Sequence, residues 1–470
     1  MRTRFAPSPT GYMHIGNLKA ALFGYLLAKS MNGTFILRIE DTDQQRLVDG
    51  SVEIIYKTLK TAGIIYDEGP DIGGQYGPYI QSERKSNYLD FAQKLVDDKK
   101  AYYCFCTKER LQSLGENAMY DRHCRNLPDE QIAQNLANNL PYTIRQIIPE
   151  GKTTFTDENF GEITVENKEM EDQILIKSDL MPTYNFANVI DDNLMGITHV
   201  LRGSEYLVST PKYNLLYEAF GWQIPKYVHL PLVLNQNGEK MSKRRGDASF
   251  EDLLELGYLP SAIVNYIALL GFSPEGNQEI FSMDELIQNF SIKRMSKSPA
   301  IFDITKLNWV NSEHIKLLSQ QDFYNFAINT INQTITRNDI NKTQIANMAQ
   351  GRISNFADIA NIFDFIDEMP SYSLELYEHK KMKTNPSIAK EIISKILPEL
   401  ETYENWSNEG LYQFLTSFAT KNEYKNSQVL WSIRTGISGK AATPGGASEL
   451  LAILGKNDSI KRLQKSKSML

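Results

Sequence analysis

The sequence predicts an α/β fold built on a parallel sheet, with an α+β segment inserted into it and an all-α region after it. Strand-like and helix-like runs alternate through about residues 1–100, which is typical of a parallel sheet covered by helices. Shorter mixed segments follow over about 101–189, and helical apolar stripes dominate after about residue 250. We therefore expect a sheet domain from 1–100 and 190–250, an inserted domain at 101–189, a helical domain at 251–320 and a helical body at 321–470.

The N-terminal elements alternate between strand and helix. Residues 2–6 (RTRFA) predict a short strand, and the apolar residues between Leu18 and Leu26 recur at helical spacing. The run TFILRIEDTD at 34–43 predicts a buried strand that ends in carboxylates, and 51–62 predicts the next helix. Successive strand and helix pairs of this kind favour parallel pairing of the strands.

Further strand signals lie inside the insertion and after it. TIRQIIP at 143–149 and GEITVENK at 161–168 predict strands of the insertion, whereas THVLRG at 198–203 and YVHLPLVL at 227–234 predict a return to the sheet. SKSPAIFD at 296–303 predicts a connection between helical units. One apolar stripe predicts a C-terminal helix: Ile388, Ile392, Ile393, Ile396 and Leu400.

Composition and charge exclude several classes of protein. No apolar run approaches the roughly 18 residues that span a bilayer, and no apolar segment of a secretory signal follows Arg2 and Arg4, so we expect a cytoplasmic protein without membrane contact. The formal net charge of −7 excludes a general basic surface, and any nucleic-acid contact must use local patches. Three cysteines make a poor disulfide framework and fit a reducing compartment.

The loop between the first strand and the first helix is suited to bind phosphate. A loop that leaves a parallel strand and enters a helix presents free backbone N–H groups and the positive end of the helix dipole. Gly11 and Gly16 permit close approach, and His14 could donate a hydrogen bond to a phosphoryl oxygen. The alternative is that His14 is a helix-terminal residue packed on the loop.

A second candidate phosphate loop is GEKMSKRRGD at 238–247. Lys240, Lys243, Arg244 and Arg245 lie close together in the chain and would repel one another unless a polyanion lies among them. A solvated basic turn is the alternative. The presence of two phosphate-directed loops on one α/β body makes that alternative weaker.

HIGN at 14–17 together with KMSKR at 240–244 resembles the two signatures of class I aminoacyl-tRNA synthetases. RFAPSPTG at 4–11, RIEDTD at 38–43, PTYNFANVIDD at 182–192 and HVLRGSEYL at 199–207 extend the resemblance to the glutamyl branch, and it covers essentially the whole chain. Asn17 departs from the histidine that many class I enzymes have there. The resemblance implies a Rossmann-type catalytic domain, an inserted domain that binds the tRNA acceptor end, a helical domain at the stem and an anticodon-binding helical region.

The reaction that this resemblance implies is ATP-dependent ligation of L-glutamate to tRNA(Glu) through a glutamyl-adenylate, with Mg²⁺ bound to the phosphates and release of AMP and pyrophosphate. The implied catalytic residues are His14, Gly16, Lys240 and Lys243. The implied glutamate pocket consists of Arg4, Ala6, Ser8, Glu40, Tyr184, Asn188 and Arg202. The implied ATP site consists of Ser8, His14, Gly16, Glu205, Lys240, Met241, Ser242, Lys243 and Arg244.

Each implied role has a structural alternative. Glu40 and Arg202 could form an internal ion pair, and Tyr184 and Asn188 could be ordinary packing residues beside a sheet. Ser8 supports an anionic substrate, because the glutaminyl branch has a glutamate at this position.

The cysteines predict either a structural zinc site or three reduced thiols. Cys104, Cys106 and Cys124 supply three of the four ligands that structural zinc takes. Tyr120 or His123 could supply the fourth, and Asn126 stands where some relatives have histidine.

Two other functions remain as alternatives to discriminating glutamate ligation: a form that also charges tRNA(Gln), and a catalytically idle tRNA-binding protein. A small-molecule nucleotidyltransferase is disfavoured by the long helical region. Arg352 is a candidate for anticodon reading, but a single arginine is more often part of a solvated helix surface. Nothing in the sequence requires more than a monomer.

Overall fold

A computed structural model describes residues 1–43, 46–115, 118–241 and 248–470. The chain divides into two compact units, one of residues 1–255 and 260–307 and the other of residues 256–259 and 308–470. No helix within the described residues has both the length and the apolar character needed to cross a bilayer. The division into four domains stays a prediction.

The elements of the first unit follow in chain order: β1 Arg2–Phe5, α1 Ile15–Ser30, β2 Thr34–Leu37, α2 Ser51–Thr61, α3 Lys85–Asp97, β3 Ala101–Cys104, α4 Lys108–Ser113, α5 Asp129–Ala137, β4 Thr143–Gln146, β5 Lys152–Asp157, β6 Gly161–Glu166, β7 Ile174–Ile176, α6 Tyr184–Leu194, β8 His199–Gly203, α7 Thr210–Phe220, β9 Lys226–Leu230, β10 Val233–Leu234, α8 Phe250–Glu255, α9 Pro260–Leu269, α10 Met283–Asn289 and β11 Ala300–Ile301. Helix α11 follows at Ile304–Leu317.

The parallel pairing that the sequence predicts is confirmed. Strand β1 pairs in parallel with β2, and β8 pairs in parallel with β9. Strand β8 also lies beside β1, because the Thr198 N–H donates to the Arg2 carbonyl at 3.0 Å. Helix α1 packs on these strands with Leu18, Leu22 and Leu26 fully buried. The carboxyl ends of β1, β8 and β9 therefore meet at one edge.

Three strand predictions differ from the structure in detail. The regular part of the strand predicted at 34–43 ends at Leu37, and Ile39 then makes an isolated parallel bridge with Ile80. The run at 227–234 is divided into β9 and β10 around Pro231, which has no N–H to donate. The segment at 296–303 is more than a connection, because it contains β11, which pairs in parallel with β10.

The segment 101–189 has the α+β character that the sequence predicts. Strands β3, β4 and β7 form an antiparallel sheet, and β5 and β6 form an antiparallel hairpin. The hairpin also joins the parallel strands, since Asp157 of β5 pairs with Tyr227 of β9. This pairing places the carboxylate of Asp157, a residue of segment 101–189, next to the β8–β9 pair.

The second unit is helical where the sequence predicts helices. Its helices are α12 Gln320–Thr334, α13 Lys342–Ala349, α14 Asp358–Ile362, α15 Pro386–Thr402, α16 Asn408–Lys421, α17 Asn426–Ser438, α18 Ala447–Leu454 and α19 Lys456–Met469. The apolar stripe of α15 is buried at Ile392, Ile393, Ile396 and Leu400, which confirms its predicted orientation. Helix α15 packs against α17 and α19.

Candidate active site

A cleft of about 280 Å³ opens at the carboxyl ends of β1, β8 and β9. Open α/β sheets bind their ligands at this edge. Many of the residues that the sequence singled out line it: Arg4, Ala6, Ser8, His14, Gly16, Tyr184, Arg202, Glu205 and Lys240. The first candidate phosphate loop and Lys240 of the second therefore border one cleft.

The imidazole of His14 is held at the start of α1. His14 is the N-cap residue, and its Nδ1 accepts a hydrogen bond of 3.0 Å from the Gly16 N–H. A ring whose Nδ1 accepts carries its hydrogen on Nε2 when neutral. The local geometry thus prepares Nε2 as a donor beside a helix N-terminus, where backbone N–H groups also favour anions.

The described ends of the second loop lie beside the first loop. Lys240 is bridged to Leu234, and the Met241 N–H donates to the Val233 carbonyl, so that a hairpin carries Lys240 to the cleft. After the basic turn, Ser249 pairs with His14 in an isolated antiparallel bridge. Ser242, Lys243, Arg244 and Arg245 lie outside the described residues.

Two residues of the implied ATP site contact each other directly. The Lys240 Nζ lies 2.6 Å from the Glu205 Oε1, and both side chains are exposed to solvent. Such an exposed pair contributes little to stability, so the contact leaves both groups available to a ligand. The neighbouring residue Met241 is buried.

Arg4 is held in the cleft wall by a carboxylate from α6. Its Nε donates to the Asp192 Oδ1 at 3.0 Å, and its Nη2 donates to the Asp192 Oδ2 at 3.1 Å. Burial opposes ionisation of Asp192, yet Arg4 and Arg38 hold the pKa of Asp192 below its ordinary value. Because Nε and Nη2 are engaged, Nη1 is the guanidinium nitrogen of Arg4 that can meet a ligand.

Glu40 and Asn188 do not line the cleft but are buried next to Arg4. Glu40 accepts from the Arg38 Nη2 at 2.8 Å and from the Asn188 Nδ2 at 3.1 Å. The internal ion pair that was the alternative for Glu40 therefore exists, with Arg38 as the partner. The Glu40 Oε2 is nevertheless buried without a hydrogen-bond partner among the described residues, and burial raises the pKa of Glu40.

Arg202 also lines the cleft and is buried without an acidic partner among the described residues. Its Nη2 donates to the Thr210 Oγ1 at 2.8 Å, and its Nε donates to the His229 Nε2 at 3.2 Å. The guanidinium carbon lies 4.3 Å from the centre of the Tyr213 ring. The predicted cation is thus present in the cleft and is held by neutral groups.

Sequence reasoning missed Lys19, Arg38 and Asp192. Lys19 lines the cleft from α1, where its Nζ donates to the Pro231 carbonyl at 2.8 Å. Arg38 forms ion pairs with both Glu40 and Asp192. It is completely buried and does not line the cleft. In the sequence, Lys19 and Arg38 stand among apolar residues, which indicates a buried charge but not its partner, whereas Asp192 follows Asp191 and gives no such signal.

The structure brings the three cysteines and Tyr120 together. The Cys106 and Cys124 sulfurs lie 3.5 Å apart, and the Tyr120 hydroxyl lies 3.2 Å from the Cys104 Sγ. A hydrogen bond from Cys124 lowers the pKa of Cys104 to about 4, which favours the thiolate that metals bind. The alternative ligand His123 is exposed, as is Asn126.

A separate groove of about 840 Å³ lies in the second unit between α16, α17 and α18. Tyr412, Trp431 and Arg434 line it, and the Arg434 guanidinium carbon lies 4.4 Å from the centre of the Trp431 ring. Arg352 is exposed outside this groove, and its Nη1 donates to the Met348 carbonyl. Sequence reasoning did not identify the groove.

Similarity to known proteins agrees with this geometry. Residues 1–309 match the family described as tRNA synthetases class I (E and Q), catalytic domain, and residues 320–467 match an anticodon binding domain. The chain therefore belongs to the class I aminoacyl-tRNA synthetases and is an enzyme.

Full-length relatives define the branch. The chain is 54% identical to a glutamate–tRNA ligase of Clostridium novyi over 99% of this chain and 97% of that protein. It is also 54% identical to one of Clostridium botulinum strain Eklund 17B over 100% and 99%. The crystal structure of a glutamate tRNA ligase from Elizabethkingia meningosepticum in complex with its amino acid superposes with a TM-score of 0.89 at 33% identity, covering 100% of this chain and 99% of that one. Within its class, the chain is a member of the glutamate–tRNA ligase family.

Proposed function

We propose that this enzyme ligates L-glutamate to tRNA(Glu) in two steps, first forming glutamyl-adenylate from ATP and then transferring the glutamyl group to the tRNA. The observation that carries the proposal is one cleft lined by two arginines, by the first candidate phosphate loop and by Lys240 of the second. Such a cleft suits an anionic amino acid and a nucleotide at the same time.

Arg4 and Arg202 would bind the carboxylates of glutamate. Each has its Nε and Nη2 engaged by protein groups, which fixes the plane of the guanidinium and leaves Nη1 for a substrate oxygen. By resemblance, Glu40 would attract the substrate ammonium; because its carboxylate does not line the cleft, it would act through its charge, with Asn188 holding the carboxylate in place. Ala6, Ser8 and Tyr184 would complete the pocket.

Activation needs positioning and charge stabilisation rather than a covalent intermediate. The α-carboxylate of glutamate attacks the α-phosphorus of ATP in line, and pyrophosphate leaves. His14 would donate from Nε2 to a phosphoryl oxygen, Gly16 would let the nucleotide approach the backbone, and Lys240 would pair with the leaving phosphates. By resemblance, Ser242, Lys243 and Arg244 share this task, and Glu205 and Met241 border the nucleotide.

Magnesium would enter with ATP. Glu205 is the carboxylate residue among the described residues that line the cleft, and it is paired with Lys240. This donor set fits an ion held mainly by phosphate oxygens and water, as Mg²⁺ prefers. The bound ion would neutralise phosphate charge.

The tRNA would contact regions beyond the cleft. We assign the acceptor end to 101–189, the stem to 251–320 and the anticodon to 321–470. The groove beside Trp431 and Arg434 offers an aromatic face and a cation, which are the groups that bind unstacked bases. Arg352 stays a candidate for the same task.

The functional assay is charging of purified tRNAs with labelled amino acids. We expect glutamate to be attached to tRNA(Glu), and pyrophosphate exchange with glutamate to appear mainly when tRNA is present. Exchange supported by glutamine instead would overturn the substrate assignment. Equal charging of tRNA(Glu) and tRNA(Gln) would replace it with the non-discriminating form, and binding of tRNA without charging would indicate an idle binding protein.

We also propose that the cysteine cluster holds one structural zinc ion. Its three sulfur atoms lie within 4.8 Å of one another, and sulfurs on a tetrahedral zinc with bonds of about 2.3 Å lie about 3.8 Å apart. Cys104, Cys106 and Cys124 would supply thiolates, and Tyr120 the fourth ligand. Metal analysis after chelator-free purification should find one zinc per chain, reduced in Tyr120→Phe and unchanged in His123→Ala. Substoichiometric zinc in the unaltered protein would refute the site.

The enzyme would act as a cytoplasmic monomer. Analytical ultracentrifugation should give a mass near the 53.6 kDa of one chain, both in the absence of substrates and in the presence of glutamate and ATP. A stable dimer under these conditions would contradict the monomer.

A further inference from the structure

A buried line of hydrogen bonds runs behind Arg202, from a carboxylate of β5 through an imidazole of β9. The Asp157 Oδ2 lies 2.7 Å from the His229 Nδ1, and the His229 Nε2 lies 3.2 Å from the Arg202 Nε. Asp157 and His229 are at most 1% exposed. Neither lines the cleft, so neither reaches a substrate directly.

The surroundings of Asp157 fix which nitrogen of His229 carries hydrogen. The Asp157 Oδ1 accepts from the Asn159 and Phe160 N–H groups, and its Oδ2 accepts from the His229 N–H as well as from the ring. Although burial opposes ionisation, the hydrogen bond from His229 keeps the pKa of Asp157 below its ordinary value. An ionised carboxylate only accepts, so the hydrogen of the ring lies on Nδ1.

The opposite nitrogen of the ring must then accept. Burial lowers the pKa of His229, and the neighbouring Arg202 cation adds to this effect, so the ring is neutral. A neutral ring with hydrogen on Nδ1 presents a lone pair at Nε2, which faces the Arg202 N–H. With the hydrogen on Nε2 instead, the N–H of His229 would face the Nε–H of Arg202, and neither group could accept a hydrogen bond.

The same contact restricts the rotation of the guanidinium. His229 engages Nε, Thr210 engages Nη2, and the Tyr213 ring packs on the guanidinium face. Among the described residues Nη1 has no partner, and Arg202 lines the cleft. Neutral partners leave the positive charge of Arg202 uncompensated, unlike that of Arg4, which is paired with Asp192.

We propose that His229 and Asp157 are positioning residues, which hold Arg202 in the orientation that binds the side-chain carboxylate of glutamate. The inference rests on the proposed function. It makes a residue of the inserted segment, Asp157, a determinant of amino-acid binding in a cleft formed by other strands.

Two substitutions at His229 separate its two hydrogen bonds. In His229→Asn the amide nitrogen stands near the position of Nδ1 and keeps the bond to Asp157, but nothing replaces Nε2. In His229→Gln the amide oxygen reaches the position of Nε2 and can accept from Arg202. The two variants therefore serve as matched controls for each other, with similar polarity and burial.

We expect His229→Asn to raise the KM for glutamate about tenfold, the effect of losing one hydrogen bond to a charged group. The KM for glutamate should stay within about threefold of the unaltered value in His229→Gln, because Arg202 keeps an acceptor. The KM for ATP should not change in either variant, and both should have similar melting temperatures. Equal KM values for glutamate in the two variants, or a parallel rise in the KM for ATP, would overturn the inference.

A spectroscopic measurement on the unaltered protein tests which nitrogen of His229 carries hydrogen. Nitrogen NMR of ¹⁵N-histidine-labelled protein should show one neutral ring with hydrogen on Nδ1 that persists below pH 6.5, the ordinary pKa of about 6.5 being lowered here. If the signal of His229, identified by its absence from the spectrum of His229→Gln, showed hydrogen on Nε2, the inference would be refuted. Failure of the proposed function would appear differently, as absence of glutamate charging by the unaltered enzyme.

Discussion

Lys19 is a buried lysine on a helix whose neighbouring residues are apolar. Its side chain is 1% exposed, and its Nζ donates to the Pro231 carbonyl at 2.8 Å and to the Leu270 carbonyl at 3.2 Å. These bonds tie α1 to the turn between β9 and β10 and to the end of α9. Both of these partners are neutral carbonyl groups, so the ammonium form is costly there.

The stability of the first unit should therefore depend on pH through Lys19. Burial lowers the pKa of Lys19 to about 7, whereas an unfolded lysine titrates near about 10.4. Between these values the unfolded state binds more protons, so stability rises with pH, by at most about 1.4 kcal/mol per pH unit. Thermal unfolding at pH 7, 8 and 9 should show the unaltered protein gaining stability relative to Lys19→Met. A difference that stays constant over this range would contradict a lowered pKa.

The candidate site was predictable from the sequence where its residues lie in compact motifs. His14 and Gly16 lie in one loop, Lys240 lies in a second, and all three line the cleft. The network behind them was not predictable, because Arg38 and Asp192 are 154 positions apart and neither belongs to a phosphate-binding pattern. Spacing along the chain carries no information about a partner that only folding brings near.

At the scale of the element, the N-terminus of α1 combines a helix start with a close contact to a side chain. A Cβ on residue 16 would stand 3.3 Å from the His14 Nδ1, which is tighter than ordinary packing. Gly16→Ala should therefore displace the imidazole while the helix itself gains, since alanine favours helices over glycine by about 1 kcal/mol. We expect the rate of glutamate activation to fall at least tenfold with no loss of melting temperature, measured by pyrophosphate exchange with tRNA present.

Gly24 provides the control within the same helix. A Cβ there would meet the Phe35 ring at 3.1 Å, at a position that does not line the cleft. Gly24→Ala should lower the melting temperature slightly and leave the activity of the folded enzyme unchanged. If both variants lost activity alike, the effect would belong to the helix and not to the His14 contact.

Long elements were predictable from periodicity, and very short ones were not. Helix α1 and helix α15 show apolar residues at helical spacing over several turns. Strands β10 and β11 contain two residues each, which is too short for any period to appear. Their pairing depends on a proline break at Pro231 and on the return of a chain segment from 67 positions away, as the register of Leu234 with Ile301 and of Val233 with Ala300 shows.

At the scale of the whole molecule, a negatively charged enzyme would bind a polyanion. The formal net charge is −7, so long-range attraction does not favour tRNA, and contact must come from local clusters of lysine and arginine. The proposed glutamate site is different, because Arg4 is 5% exposed and Arg202 is 7% exposed. Salt screens exposed charges far more than buried ones.

The two substrates should therefore respond differently to ionic strength. Each phosphate contact with tRNA releases counterions, so kcat/KM for tRNA should fall steeply as sodium chloride rises from about 50 to 200 mM, by about 10-fold or more for a few contacts. The KM for glutamate should change by less than about twofold over the same range, since the partners that we propose for it are buried arginines. Steady-state charging assays with one substrate saturating at a time measure both quantities. A glutamate KM that followed salt as steeply as the tRNA term would mean that Arg4 and Arg202 are not the cations that bind the amino acid.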